Sequence, residues 1–207
     1  MRNERTSSVR AQLSLLSAMV IFGTIGLMVR KIPVSSGELA LYRAMLAVVV
    51  LSGVFLLTKQ KIPFREIRKE LPLLLISGVA MGFNWILLFE AYKYTTVSVA
   101  TLSYYFAPVI VMVACPLIFK EKLSVKQLIC FIMSTAGLVL ITGTAGGGTQ
   151  DLLGIVFGLG AALFYATVML LNKFIKGVAG VQRTFLQFVA AVIILLPYVA
   201  LTSGFTL

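Results

Sequence analysis

The sequence predicts an all-α membrane protein with seven transmembrane helices. Three observations support this prediction: long apolar stretches fill most of the 207 residues, the cations lie in the connections between them, and only 12% of residues are charged. A hydrocarbon core about 30 Å thick requires about 20 apolar residues in a helix. Seven stretches have this length, at residues 11–29, 38–58, 71–92, 96–119, 124–143, 152–172 and 183–203.

The charge of the connections alternates along the chain. The N-terminal tail and the second, fourth and sixth connections hold fourteen of the 18 Lys and Arg residues, whereas the first and third hold three and the fifth none. Cytoplasmic loops carry an excess of Lys and Arg. The pattern therefore predicts a multi-pass protein of the cell membrane with a cytoplasmic N-terminus, and seven spans place Leu207 outside.

The composition argues against several classes of function. The net charge of +11 could indicate a nucleic-acid partner, but the cations flank the spans, so anionic membrane lipid is the better partner. There is no His, and Cys115 and Cys130 lie within spans, so we expect no metal site and no cofactor. No Ser–Lys pair, Asp pair or metal-ligand set has useful spacing, so we do not expect an enzyme.

The first span, residues 11–29, is too long for a signal-peptide core, and we interpret it as a retained helix. The second span carries Arg43 about 7 Å below the predicted outer face. An Arg at the centre of a membrane helix costs about 2.5–3.5 kcal/mol. Either Arg43 extends to the interface as an anchor, or it binds an anionic ligand group or pairs with a carboxylate. Glu38 and Glu90 are the candidate charge partners, although Glu90 could pair with Lys93 instead.

The third and fourth spans place aromatic and polar side chains in one layer. Asn84 and Trp85 lie about 12 Å below the outer face, and a short hairpin brings Tyr104 and Tyr105 to the same depth. On the fourth span the polar residues form one stripe, which comprises Ser98, Thr101, Tyr105 and Pro108. Such side chains suit a cavity for a small amphipathic solute. Hydroxyls that bond to each other across helices would give the same stripe.

Pro and Gly residues indicate how the spans bend and pack. Pro108 and Pro116 each remove a helical hydrogen bond from the fourth span, and Pro108 is the candidate kink of a gate. Small residues recur every fourth position in the third span, at Gly78 and Gly82, and in the sixth, from Gly154 to Ala166. This spacing is typical of close helix packing, and lining of a cavity is the alternative.

An internal repeat is faint. Residues 21–32 align with residues 163–174, and the alignment brings Arg43 near Gln187. Because five spans separate the two copies, the second copy is inverted in the membrane. Inverted repeats with a site between them are typical of transporters.

The central part of the chain resembles a known family. The similarity lies in the segments 84–95 (NWILLFEAYKYT), 100–105 (ATLSYY), 107–109 (APV), 120–123 (KEKL) and 137–140 (GLVL), with Gln127. Together these segments resemble the EamA-type repeat of the drug/metabolite transporter superfamily. The resemblance implies ten helices in two inverted five-helix repeats, both termini in the cytoplasm, and export or exchange of small metabolites, amino acids or drugs.

On this resemblance, residues 1–143 form the first repeat, residues 144–151 an extracytoplasmic linker, and residues 152–207 the start of a truncated second repeat. We therefore expect a fragment of a ten-helix protein, in which the groove of Gly154–Ala166 lacks a neighbour. A homodimer with complementary halves is the alternative assembly.

The expected function is a secondary transporter that exports a small-molecule solute across the cytoplasmic membrane by alternating access. The candidate cavity residues are Arg43, Asn84, Trp85, Thr101, Tyr104, Tyr105 and Tyr165. The alternative is a non-transporting membrane subunit or scaffold that packs through its small-residue grooves.

Overall fold

The computed structural model describes residues 32–59, 67–120, 124–144, 149–178 and 180–202, with a few N-terminal positions. The chain divides into two units, residues 1–33 and 34–207. In the first unit, the described positions between 12 and 29 are helical, and the rest of the predicted first span lies outside the described residues.

The described part of the second unit consists of helices joined by short connections. In chain order they are α1 (Ser36–Thr58), α2 (Leu71–Tyr94), α3 (Val97–Tyr104), α4 (Ala107–Phe119), α5 (Val125–Thr144), α6 (Thr149–Phe174) and α7 (Val181–Thr202). The prediction of an all-helical fold is confirmed for these residues. Among the described residues, five segments are long and apolar enough to cross a membrane: α1, α2, α3 with α4, α6 and α7.

The predicted fourth span is two helices. Tyr105 and Phe106 separate α3 from α4, and the Phe106 amide donates to the Ser103 carbonyl at 3.2 Å, in a tighter turn than an α-helix. Pro108 lies in the first turn of α4, where its missing N–H costs least. Pro116 lies inside α4, which continues to Phe119.

Two helices begin earlier than their predicted spans, and a contact of the first turn accompanies each of these earlier starts. α6 begins at Thr149, so only residues 145–148 lie between α5 and α6 in place of the predicted linker 144–151. Asp151 in its first turn is favoured by the helix dipole, and its Oδ1 accepts a hydrogen bond of 2.8 Å from Thr95 Oγ1. α1 begins at Ser36 because Ser35 and Glu38 form a reciprocal capping box.

Helix α2 lies at the centre of the unit and packs against α1, α6 and α7. A Cβ atom added at Gly78 would collide with the side chain of Ala190 and would lie 2.7 Å from the Gln187 carbonyl. Glycine is therefore what allows α2 and α7 to approach this closely. At Gly82, an added Cβ would lie 3.2 Å from Leu195 of α7.

The small-residue groove of α6 is filled by the same chain. A Cβ at Gly154 would lie 2.5 Å from Thr95, and one at Gly158 would lie 2.8 Å from Ser103. Further along the groove, Ala162 and Ala166 pack against Ala107 of α4. The expectation that this groove lacks a neighbour is therefore wrong, because α3 and α4 occupy it.

Helix α5 is peripheral. Its described side chains are mostly apolar and exposed, among them Val125, Leu128, Ile132, Met133 and Leu140. In a membrane protein such a surface suits contact with lipid chains.

Candidate functional site

The candidate site begins with a cation held over an aromatic ring. Cζ of Arg43, on α1, lies 4.6 Å from the ring centroid of Trp85, on α2. The Trp85 ring packs in turn against Phe188 of α7, with centroids 5.2 Å apart. Attraction between a guanidinium and an indole is worth about 0.5–2 kcal/mol and increases as water is removed. Trp85 is 7% exposed, so this contact is largely dry.

Two tyrosine side chains lie near the same cation. Arg43 lies close enough to Tyr92 and Tyr104 to interact electrostatically with both. The Tyr92 hydroxyl lies 3.4 Å from Oγ1 of Thr101, which brings α2 and α3 together. These side chains combine one positive charge with hydroxyl groups that can donate or accept.

The Tyr104 ring leads from this cluster toward the surface. Its centroid lies 5.9 Å from that of Tyr105 and 5.3 Å from that of Tyr165, on α6. Tyr105 is 54% exposed and Tyr165 is 36% exposed. The arrangement therefore has an exposed rim of two tyrosines and, at its other end, the buried Trp85 with the half-buried Arg43.

Asn84 holds the helices in position. Its side chain is buried, and Nδ2 donates to the Ala161 carbonyl of α6 at 2.7 Å. The Asn84 side chain also lies close enough to Tyr104 to interact with it. Because a buried amide needs partners, the bond to Ala161 holds α2 against α6.

The two predicted charge partners lie at one end of the bundle, where α1 begins and α2 ends. Oε2 of Glu90 accepts from Nζ of Lys93 at 3.0 Å and from Oγ of Ser36 at 2.6 Å, so it joins α2 to α1. Oε2 of Glu38 accepts the Ser35 backbone N–H at 2.9 Å in the capping box. Both carboxylates therefore contribute to helix ends.

The structure brings the predicted cavity residues to one region and adds two that sequence reasoning missed. Tyr92 lies two helical turns from Trp85, and this spacing on one face was the available signal. Phe188 had no such signal, because its place against Trp85 depends on how α7 packs. Within the described residues, no group of three His, Cys, Asp or Glu could hold a metal ion.

The arrangement combines groups of the kind that line small-molecule sites. The guanidinium and hydroxyls suit an anionic or polar part of a ligand, and the rings suit a flat apolar part.

Comparisons with known proteins agree with the resemblance in the sequence. Residues 9–143 match the model of the EamA-like transporter family. The chain is 33% identical over 192 residues to an uncharacterized transporter, YxxF, of Bacillus subtilis, a match that covers 91% of this chain and 62% of that protein. It is 28% identical over 164 residues to an uncharacterized inner membrane transporter, YhbE, of Escherichia coli K12. This match covers 75% of this chain and 51% of that protein.

The chain thus matches between half and two thirds of the length of these relatives. No solved structure has significant similarity to it. The family match covers more than half of the chain and agrees with its several apolar helices. The chain is therefore a multi-pass membrane protein that belongs to the EamA-like transporter family.

Proposed function

We propose that this protein is a secondary transporter that exports small metabolites, amino acids or drugs across the cytoplasmic membrane by alternating access. The observation that carries the proposal is the position of Arg43 over Trp85 among tyrosine hydroxyls. An Arg inside a membrane span is costly and usually marks a ligand or ion path. The family, and relatives that are named as transporters, support the broader class of membrane transporter.

In this proposal the solute enters past the exposed rim of Tyr105 and Tyr165. Its apolar part lies against the rings, and its polar or anionic part reaches Arg43. A planar guanidinium can bind a carboxylate through two parallel hydrogen bonds. Asn84 is a positioning residue, because it bonds to the α6 backbone and lies beside Tyr104.

Alternating access requires contacts that open at one end while the other end closes. At the outer end, the candidates are the bond between Ser36 and Glu90 and that between Thr95 and Asp151. At the inner end, the Glu70 carboxylate accepts the backbone N–H groups of Lys176 and Gly177. The break at Tyr105–Phe106, next to Pro108, is the proposed hinge of the gate.

Orientation is part of the same proposal. The loop charges support a cytoplasmic N-terminus, and therefore a cytoplasmic end near Glu70 and an outer end near Glu90. The inverted repeat that relates Arg43 to Gln187 supports a site between two halves. The scaffold alternative has less support, because helices of the same chain occupy the grooves at Gly78 and at Gly154–Ala166.

Counterflow in liposomes tests the proposal. Purified protein is first screened for thermal stabilisation by metabolites, and each solute that stabilises it is then assayed for exchange in liposomes. We expect saturable exchange that falls about tenfold or more in Tyr105→Ala and Tyr165→Ala. Tyr94→Ala is the matched control, because Tyr94 packs against Phe157 away from the rim.

Two results would contradict the proposal. If no stabilising solute is exchanged by the wild-type protein in liposomes, the protein is not the proposed transporter. If exchange occurs and is as fast in both rim variants as in Tyr94→Ala, the transported solute does not pass this rim.

A further inference from the structure

A cavity lies between the C-terminal half of α1, the end of α6 and the start of α7. It has a volume of about 480 Å³, within the usual range for small-molecule sites of about 300–1,000 Å³. The residues that line it are Leu51, Asn172, Gly180, Val181, Arg183, Thr184 and Gln187. None of them belongs to the site around Arg43. Leu51 and Arg43 lie eight residues apart on α1, which corresponds to about 12 Å along the helix.

Hydrogen bonds fix the buried wall of this cavity. Gln187 is 2% exposed, and its Nε2 donates to Oγ of Ser77 at 2.6 Å and to Oδ1 of Asn172 at 2.7 Å. These bonds use both hydrogens of the Gln187 amide and join α2, α6 and α7. The wall is therefore preorganised, which lowers the cost of ordering a bound ligand.

The cavity carries one positive charge. Arg183 is the only ionisable residue that lines it, and Nη1 donates to the Asn172 carbonyl at 2.8 Å. This bond accounts for one of the five N–H donors of the guanidinium. Among the described residues, no carboxylate forms an ion pair with Arg183. An anion that enters the cavity would therefore meet a positioned cation whose charge is not already neutralised.

We propose that this cavity is a second binding site, in which Arg183 binds the anionic group of a small solute, such as a carboxylate. The assignment of this solute to transport rests on the proposed function, whereas the binding itself does not. Phe188, next to Gln187 in α7, packs against the Trp85 ring on which Arg43 lies, so α7 contributes a side chain to each site. A cation at each site favours anionic solutes over cationic ones.

Fluorine NMR of a simple carboxylate tests the proposal. The probe is 4-fluorobenzoate, with 4-fluorobenzamide as the neutral control of nearly the same shape, and the full chain is held in phosphatidylcholine nanodiscs. All measurements use an Arg43→Gln background, which removes the other cationic site. We expect saturable broadening of the benzoate signal and about tenfold weaker binding of the benzamide.

Substitutions then locate the binding. Arg183→Gln should weaken benzoate binding about tenfold or more, and Arg183→Lys should have a smaller effect because it keeps the charge but loses the planar fork. Lys69→Gln is the matched control, since Lys69 is an exposed cation at the same end of the bundle. Unchanged thermal unfolding of Arg183→Gln and of Arg183→Lys shows that both variants are folded.

A lipid headgroup is the other source of an anion. Adding 10 mol% phosphatidylglycerol at physiological salt should weaken benzoate binding by no more than about twofold, because the remaining surface potential lowers the local anion concentration only slightly. Displacement of benzoate by this lipid would overturn the proposal in favour of a headgroup site. Equal benzoate binding with and without the Arg183 side chain would also overturn it. Arg183-dependent binding without transport would instead contradict only the proposed function.

Discussion

The guanidinium of Arg43 lies over the indole of Trp85, with Cζ 4.6 Å from the ring centroid. An anchoring Arg would extend its side chain toward the interface, where water solvates the charge. Arg43 instead contacts a ring that is 7% exposed and that packs on its other side against α7. This geometry supports a role in ligand binding, because the cation is held where an incoming anion would find little competing water.

Two substitutions of Arg43 should show how much of solute exchange depends on its positive charge and how much on its planar guanidinium. We expect Arg43→Ala to lower solute exchange in liposomes about tenfold or more, because the anion loses its partner. Arg43→Lys should recover only part of the rate, since an ammonium group has no planar fork and stacks less well on Trp85. Protein levels in the membrane should remain near normal in both variants. Full activity of Arg43→Ala would mean that Arg43 is only an anchor.

Gly78 should be intolerant of even one added methyl group. In Gly78→Ala the new Cβ would collide with Ala190 and approach the Gln187 carbonyl, so α2 and α7 must move apart. Overpacking of this kind costs about 1–3 kcal/mol, which thermal unfolding in detergent would detect. Gly53→Ala on α1 is the matched control, because no atom lies within 4 Å of its added Cβ. Equal unfolding temperatures for the two variants would show that this close approach does not limit stability.

Glu70 should protect the connection between α6 and α7. Its Oε1 accepts the Lys176 N–H at 3.0 Å and the Gly177 N–H at 2.9 Å. In Glu70→Gln the acceptor loses its charge, so we expect these two amides to exchange hydrogen about tenfold faster. The Ile175 amide, which bonds to the Leu171 carbonyl, is the internal reference and should not change. Unchanged exchange at Lys176 and Gly177 would show that the Glu70 contact does not hold this connection.

Cysteine labelling should test the predicted orientation. In a background without Cys115 and Cys130, we expect Lys93→Cys to react with an impermeant thiol reagent from outside intact cells. Lys69→Cys should react only after permeabilisation, because the loop charges place it in the cytoplasm. Both positions are exposed, whereas Ser36 is 5% exposed and bonded to Glu90, which makes it a poor labelling site. Labelling of Lys69→Cys in intact cells would reverse the orientation.

The sequence alone determined the helical membrane architecture and the family. Backbone groups inside a bilayer must bond within their own helix, so long apolar stretches translate directly into spans. The depth of a residue also follows from counting along a span, since each residue adds about 1.5 Å. Such counting predicts that Asn84, Trp85, Tyr104 and Tyr105 share one layer.

Only the tertiary structure decided which faces of the helices meet. A membrane span is apolar toward both lipid and protein, so its sequence says little about its rotation around its own axis. Close approaches at Gly78 and Gly158 set that rotation. They direct Asn84 to the α6 backbone and bring Phe188 against Trp85. The cavity beside Arg183 likewise depends on contacts between segments distant in sequence, which no local pattern encodes. The break in the predicted fourth span differs, because it lies next to Pro108, where the sequence predicted a kink.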